Sequence, residues 1–282
     1  MQISTLRTGY LKLDGGAMFG VVPKKMWSRM ILPDDENMCT WCMRALLVKT
    51  SDRIIVVDTG IGTKQDPRFQ SHFSPTRQDL FLKDLHANGV KPEDVTDVLL
   101  THLHFDHVGG AITHDEKGQP VPAFPNATYW TSEKQFKAAL EPNAREKASF
   151  LKENFLPLQD WGMLQFPGND ELIHWLPGID LMTVFGHTEA MYVPVFQTAT
   201  KKLIYCADLI PSFHHLGLPY VMAYDIRPLV TLAEKEKILN WACDEDAILL
   251  FEHDPAIEAS TLIRDDKGRI QAHVHGDLIS LL

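Results

Sequence analysis

Thr101-His102-Leu103-His104-Phe105-Asp106-His107-Val108-Gly109-Gly110 is the stretch whose reading decides the fold. Val98-Leu99-Leu100, directly before it, is an apolar run that reads as the end of a buried strand. Three imidazoles and one carboxylate then fall between His102 and His107. A histidine pair at i and i+2 on an extended segment points both rings to one side, because side chains alternate along a strand. One metal ion can take both. Asp106 and His107 follow as the chain turns, and the two glycines permit the tight backbone such a turn needs. Imidazole and carboxylate are the ligand types for zinc, manganese or iron. Their density here marks a metal site rather than a run of surface histidines.

The pattern His-x-His-x-Asp-His after a strand resembles the signature of the metallo-β-lactamase superfamily of metal-dependent hydrolases, and the resemblance continues along the chain. Such proteins carry a later histidine in a Gly-His-Thr turn, then an aspartate at a strand end, then a last histidine. Here Phe185-Gly186-His187-Thr188 follows the apolar strand Ile179 to Val184, and Leu203-Ile204-Tyr205-Cys206-Ala207-Asp208 ends a second strand. Ile248-Leu249-Leu250-Phe251-Glu252-His253-Asp254 ends a third, and an early Asp58-Thr59-Gly60 after Ile54 to Val57 matches as well. The resemblance covers residues 40 to 255. It implies an α/β fold, a four-layer αβ/βα sandwich with metals at one edge of two sheets, as a single domain over 1–282.

Carried over residue by residue, the resemblance implies two divalent ions, zinc foremost, with manganese, iron or cobalt as alternatives. His102, His104 and His187 would hold one ion, Asp106, His107 and His253 the other, and Asp208 would bridge them. Two cations lower the pKa of a shared water and polarise a carbonyl or phosphoryl oxygen. The implied reaction is therefore attack by a bridging hydroxide, with Asp106 and Asp208 as catalytic carboxylates and Asp106 as general base. His104 stands where flavodiiron-type members have a carboxylate, and Asp208 where the β-lactamases proper often have cysteine, which disfavours both branches. With 29 residues after His253, the chain resembles the compact lactonases, including N-acyl-homoserine lactonases, and related esterases and phosphotriesterases. Hydrolysis of a small-molecule ester or lactone is the expected function. The alternatives are a phosphotriester or phosphodiester hydrolase and a mono-iron redox enzyme like the persulfide dioxygenases.

Two positions depart from the pattern. Many members read Gly-His-Thr-Pro-Gly-His where this chain reads Gly186-His187-Thr188-Glu189-Ala190-Met191. Pro211 stands where several lactonases place a tyrosine that helps hold the carbonyl. Substrate contacts from those positions are not carried over. Candidates for the wall of an acyl pocket are Met18 and Phe19, set between glycines, together with Trp27, Tyr220 and His215.

The formal charge of −10 opposes the phosphate neutralisation that nucleic-acid binding rests on. Met1 to Arg7 lacks the apolar core of a signal peptide, and no apolar run approaches the roughly 18 residues of a membrane span. A cytoplasmic protein, monomer or homodimer, with a small molecule as its partner is expected. Four cysteines make no disulfide framework, and Cys39 and Cys42 read as packing residues in a strand.

Cys42 to Lys49 and Arg53 to Asp58 read as consecutive strands, and Thr128-Tyr129-Trp130 as a short one. The pattern predicts a helix from Ser74-Pro75 to Asn88-Gly89, and capping boxes predict helix starts at Ser132 and Thr231. Residues 141 to 178 read as a helical insertion leaning over the site, with a helical piece at Glu146 to Phe155. Residues 209 to 228 read as a Pro- and aromatic-containing loop.

Overall fold

The computed structural model describes residues 1–168 and 170–282. Two compact units make up the chain: Met1–Leu11 with Cys42–Asn169, and Lys12–Trp41 with Asp170–Leu282.

The first unit is built on a six-stranded sheet in the order β1-β2-β3-β4-β7-β8. Its strands are β1 (Gln2–Asp14), β2 (Met38–Lys49), β3 (Ile54–Val57), β4 (Asp97–Leu99), β7 (Thr128–Trp130) and β8 (Leu164–Gln165), and a small hairpin, β5 (Ile112–His114) with β6 (Pro120–Pro122), stands apart. β2 and β3 pair antiparallel, whereas β3, β4, β7 and β8 run parallel. Parallel strands need helical crossovers and are covered on both faces, which is why β3 and β4 read as unbroken apolar runs. Leu47, Val56, Val98 and Tyr129 from the sheet pack with Leu85, Phe136 and Phe155 from the crossovers.

The second unit carries a seven-stranded sheet in the order β15-β14-β13-β12-β11-β10-β9. Its strands are β9 (Leu172–Leu176), β10 (Ile179–Val184), β11 (Met191–Gln197), β12 (Lys202–Tyr205), β13 (Ile248–Leu250), β14 (Ala259–Arg264) and β15 (Ile270–Gly276). The single parallel step is β12 beside β13, and the long helix Pro228–Asp244 makes that crossover. Among the described residues no helix is long and apolar enough to cross a membrane.

The α/β expectation holds, and several boundaries differ from the sequence reading. Ser74 does not start a helix: it ends the Pro67–Phe73 helix in a left-handed conformation, and the next helix is Leu80–Ala87. Proline's fixed φ suits a turn as well as a first helical position, and Thr76 bonds Tyr10 instead. Thr231 lies inside the Pro228–Asp244 helix, and Glu234 turns its carboxylate to another loop. Ser132 does cap its helix, accepting from Gln135 N. Leu11 to Asp14 remain strand, and Asp14 caps the helical turn Gly15–Phe19, so that segment is less of a loop than its glycines suggested. Among the described residues of 141 to 178, helix is confined to Lys152–Asn154 and Leu156–Asp160, Glu146 to Ser149 are turn, and the edge strands β8 and β9 come from the same segment. Prolines 142, 157, 167 and 177 limit helix length there.

One buried carboxylate ties three strands of the first sheet. Asp97 accepts from Arg53 Nη1 at 3.0 Å and from Trp130 Nε1 at 2.9 Å. Replacing it removes the acceptor 2.9 Å from the indole N–H, while Arg53 can turn to water. Asp97→Ala is expected to lower the unfolding free energy by about 2 kcal/mol, read from the denaturant midpoint at unchanged slope.

Candidate metal centre

In the first unit, Val57 pairs beside Leu99, so β3 and β4 deliver the residues after them to the same carboxyl edge. Open parallel sheets place their sites at this edge. Asp58 follows β3 and the histidine motif follows β4. Asp58 is fully buried at a left-handed φ of 57°. Its carboxylate accepts Thr101 N at 2.8 Å and Thr101 Oγ1 at 2.6 Å, and lies 3.2 Å from His107 Nδ1. Thr59 donates both its N–H and its hydroxyl to the His107 carbonyl, at 2.7 and 2.9 Å. Ring and backbone of His107 are thereby fixed, with Nε2 turned away as a ligand atom.

The same carboxylate reaches a second imidazole indirectly. Because the Thr101 hydroxyl gives its proton to Asp58, His102 Nδ1, 3.1 Å from that oxygen, is the donor of their bond. His102 therefore also offers Nε2. The His102 ring lies 4.6 Å from His104 and 3.9 Å from His107 between centroids, as the i, i+2 spacing predicts. The buried Glu146 carboxylate stands 3.4 Å from His104 Nε2 and the Phe150 ring 4.9 Å from the His104 ring. Asp106 opens the Phe105–Val108 turn, its Oδ2 3.8 Å from His107 Nε2. The glycines behind the motif serve close approach rather than left-handed backbone. A Cβ on Gly109 would lie 2.1 Å from Ile61 O, and one on Gly110 2.2 Å from Thr59 O.

In the second unit, β10 and β12 are both antiparallel to β11, and β12 is parallel to β13. The three point the same way, and His187, Asp208 and His253 follow their carboxyl ends. Asp208 sets its two oxygens against two rings: Oδ2 is 3.1 Å from His187 Nε2 and Oδ1 is 2.9 Å from His253 Nε2. On its other side His187 Nδ1 meets Asp225 Oδ1 at 2.8 Å. Burial alone would push the His187 imidazole down, but Asp208 and Asp225 outweigh it and hold it up at about 10. A buried ring pressed between two carboxylates calls for positive charge. A divalent cation on Nε2 answers the same demand as the proton, so the donor set of imidazoles and carboxylates fits such an ion.

Loops behind these ligands are tied just as firmly. Glu234 accepts Phe185 N at 2.7 Å and Gly186 N at 3.0 Å. Asp254 accepts Phe213 N at 3.0 Å and Ile257 N at 2.7 Å, while His253 N donates to Pro211 O at 2.8 Å. The departure after His187 has a partner: Glu189 takes Arg227 Nη2 at 2.7 Å. Ala190 and Ala207 hold left-handed φ values of 52° and 43° beside the ligand positions.

Sequence reading missed Asp225, Glu146, Glu234 and Asp254. They are single acids among many, and only folding sets them against an imidazole or a turn. The pocket candidates gather in one stack: Phe19 lies between Trp27 at 5.5 Å and His215 at 4.8 Å, with Tyr220 edge-on at 6.1 Å. Met18, Phe19 and His215 are buried, and Tyr220 is partly exposed. Both ring nitrogens of His215 are engaged: Ser212 Oγ meets its Nδ1 at 2.7 Å and Met18 O its Nε2 at 2.9 Å.

Asp225→Ala is expected to weaken divalent-metal affinity about 10- to 100-fold, measured against a chromophoric chelator. His215 yields a stability prediction. Burial pushes its imidazole from 6.5 down to about 3. The unfolded chain therefore takes up a proton that the folded one refuses, and stability present above pH 6.5 is lost as pH falls toward 3, at up to about 1.4 kcal/mol per unit. His215→Gln is expected to flatten this limb in denaturant titrations across that range.

Comparison with known proteins agrees with this geometry. Residues 44–137 match the profile of the metallo-beta-lactamase superfamily. N-acyl homoserine lactonase AiiA of Bacillus thuringiensis subsp. kurstaki is 24% identical over 237 residues, covering 79% of this chain and 84% of the relative. A probable metallo-hydrolase of Mycobacterium tuberculosis is 24% identical over 243 residues, covering 74% of each chain. Among solved structures, a probable metal-dependent hydrolase from Staphylococcus aureus superimposes with a TM-score of 0.88 at 27% identity, over 98% of this chain and 96% of that one. The dizinc quorum-quenching lactonase AidC, bound to the product N-hexanoyl-L-homoserine, shares the fold at a TM-score of 0.72 and 23% identity, over 96% and 93% of the two chains. The histidine motif lies inside the segment that matches the metallo-beta-lactamase superfamily profile, and the fold is shared over nearly the whole chain with a probable metal-dependent hydrolase.

Proposed function

We propose that the chain is a binuclear metal-dependent hydrolase of small-molecule esters or lactones, and that its two units act as one domain. His102, His104 and His187 would hold one ion and Asp106, His107 and His253 the second, with Asp208 shared. The observation that carries the reading is Asp208 itself, whose two oxygens face two different imidazoles, as a shared ligand requires. Two divalent ions, zinc foremost, would supply an acidified water and a Lewis acid.

The chain's own groups do the rest. Asp106, at the start of its turn, takes the proton of the attacking water and returns it to the leaving oxygen. Asp58 and Asp225 keep the His107 and His187 imidazoles in one tautomer, so neither ring has to reorient during turnover. Phe105 adjoins Asp106 in the chain and packs with Phe73 at 4.5 Å and Phe69 at 5.0 Å. Those two rings are partly exposed, and they form an apolar platform suited to an acyl chain. Tyr220 retains surface for a pocket edge, while Met18, Phe19 and His215 support it from behind. The lactonase relatives make N-acyl homoserine lactones the first substrates to try.

A pH-indicator assay on metal-reconstituted protein tests this across acyl-homoserine lactones, aryl esters, a phosphotriester and a thioester. Lactone or ester turnover is expected, reduced about 10²- to 10⁴-fold in Asp106→Asn. Silence on lactones and esters alongside phosphotriester turnover would replace this substrate class.

A further inference from the structure

We propose that Lys235 is a positioning residue of the hydrolytic site, holding in place the 209–227 strap that connects Asp208 to Asp225. The inference rests on the function proposed above. Apart from the short turns Ala207–Leu209 and Phe213–His215 the strap has no regular structure, so side chains rather than a ladder set its course. Both of its ends are fastened to ligand loops. Near Asp208, Pro211 O accepts His253 N at 2.8 Å and Phe213 N donates to Asp254 at 3.0 Å. Near Asp225, Ile226 N donates to His187 O at 3.1 Å and Arg227 N to Gly186 O at 2.9 Å.

Between these ends Lys235, from the helix that follows the strap, reaches back and donates its Nζ to Gly217 O at 2.7 Å and Tyr220 O at 2.9 Å. Lys235 is fully buried. Lysine is almost never so placed unless paired, because an ammonium is costly to remove from water. Burial pushes its amine down to about 7, with the Asp225 charge acting in the opposite direction. An apolar side chain would fill the same space without that cost. What lysine adds is two directed hydrogen bonds that hold the middle of the strap, and with it the register between Asp208 and the carboxylate behind His187. A nucleophilic role does not fit, since the amine has no solvent access and its hydrogens are engaged by carbonyls. Gly217 is exposed and Tyr220 partly so, and carbonyls released by substitution there can reach water.

The test compares Lys235→Met with Ile238→Val, a change in the buried face of the same helix that leaves the strap's hydrogen bonds intact. Zinc affinity by chelator competition, steady-state hydrolysis and thermal unfolding are measured on all three proteins. Lys235→Met is expected to remain folded, to bind zinc about tenfold more weakly, and to lose about tenfold in kcat with KM within about twofold. Ile238→Val is expected to change only the thermal midpoint. Equal zinc affinity and kcat in the two variants would reduce Lys235 to packing and overturn the inference. A wild-type protein that binds no zinc would overturn the functional reading, and this inference with it.

Discussion

A buried imidazole can present one nitrogen to a ligand site only if something accepts the proton on the other, and this constraint orders much of the molecule. Asp58 meets it for His107 directly and for His102 through the Thr101 hydroxyl. Asp225 meets it for His187. Each of these acids must itself be buried in a fixed place, which is costly unless hydrogen bonds satisfy it. The sheets solve the problem by geometry. Parallel strands deliver their following loops to one edge, so Asp58 and the histidine motif meet without a long detour, as do Asp208 and His253.

This arrangement explains which parts of the protein were legible in the sequence. The motif from His102 to His107 carries its own periodicity and spacing, and the strands before it are apolar runs, so both could be read locally. His187, Asp208 and His253 could be placed because each ends an apolar strand and the family resemblance says where to look. Asp225 and Glu146 carry no such mark. Asp225 lies 38 residues from His187, and its role exists only because the strap folds back on itself. Glu234 shows a pattern that misleads: Thr231-x-x-Glu234 has capping-box spacing, yet the helix already begins at Pro228 and the acid caps the Phe185-Gly186 turn instead. Local spacing records what a residue can do near itself and is silent on partners brought in by the fold.

The segment from 141 to 178 follows the same logic. Its prolines and polar residues look like an insertion, yet its end strands complete the two sheets and Glu146 lies 3.4 Å from the His104 imidazole. The rings of Phe19 and His215 were candidates for a pocket because glycines and a loop flank them. Tertiary packing made them a stack, since aromatic faces of that size are better buried than exposed.

The left-handed backbone at Asp58, Ala190 and Ala207 carries one more implication. Such conformations in residues with a Cβ cost of order 1 kcal/mol or more and persist only where the surroundings dictate them. Here the surroundings are sheet ends, buried acids and packed loops, all of which form from the chain itself. The donors are thus set by folding energy rather than by the ion they receive, unlike small zinc domains that collapse only around their metal. On the proposed reading, loading such a preset donor set would require no refolding, so the metals on offer would decide which ion it carries.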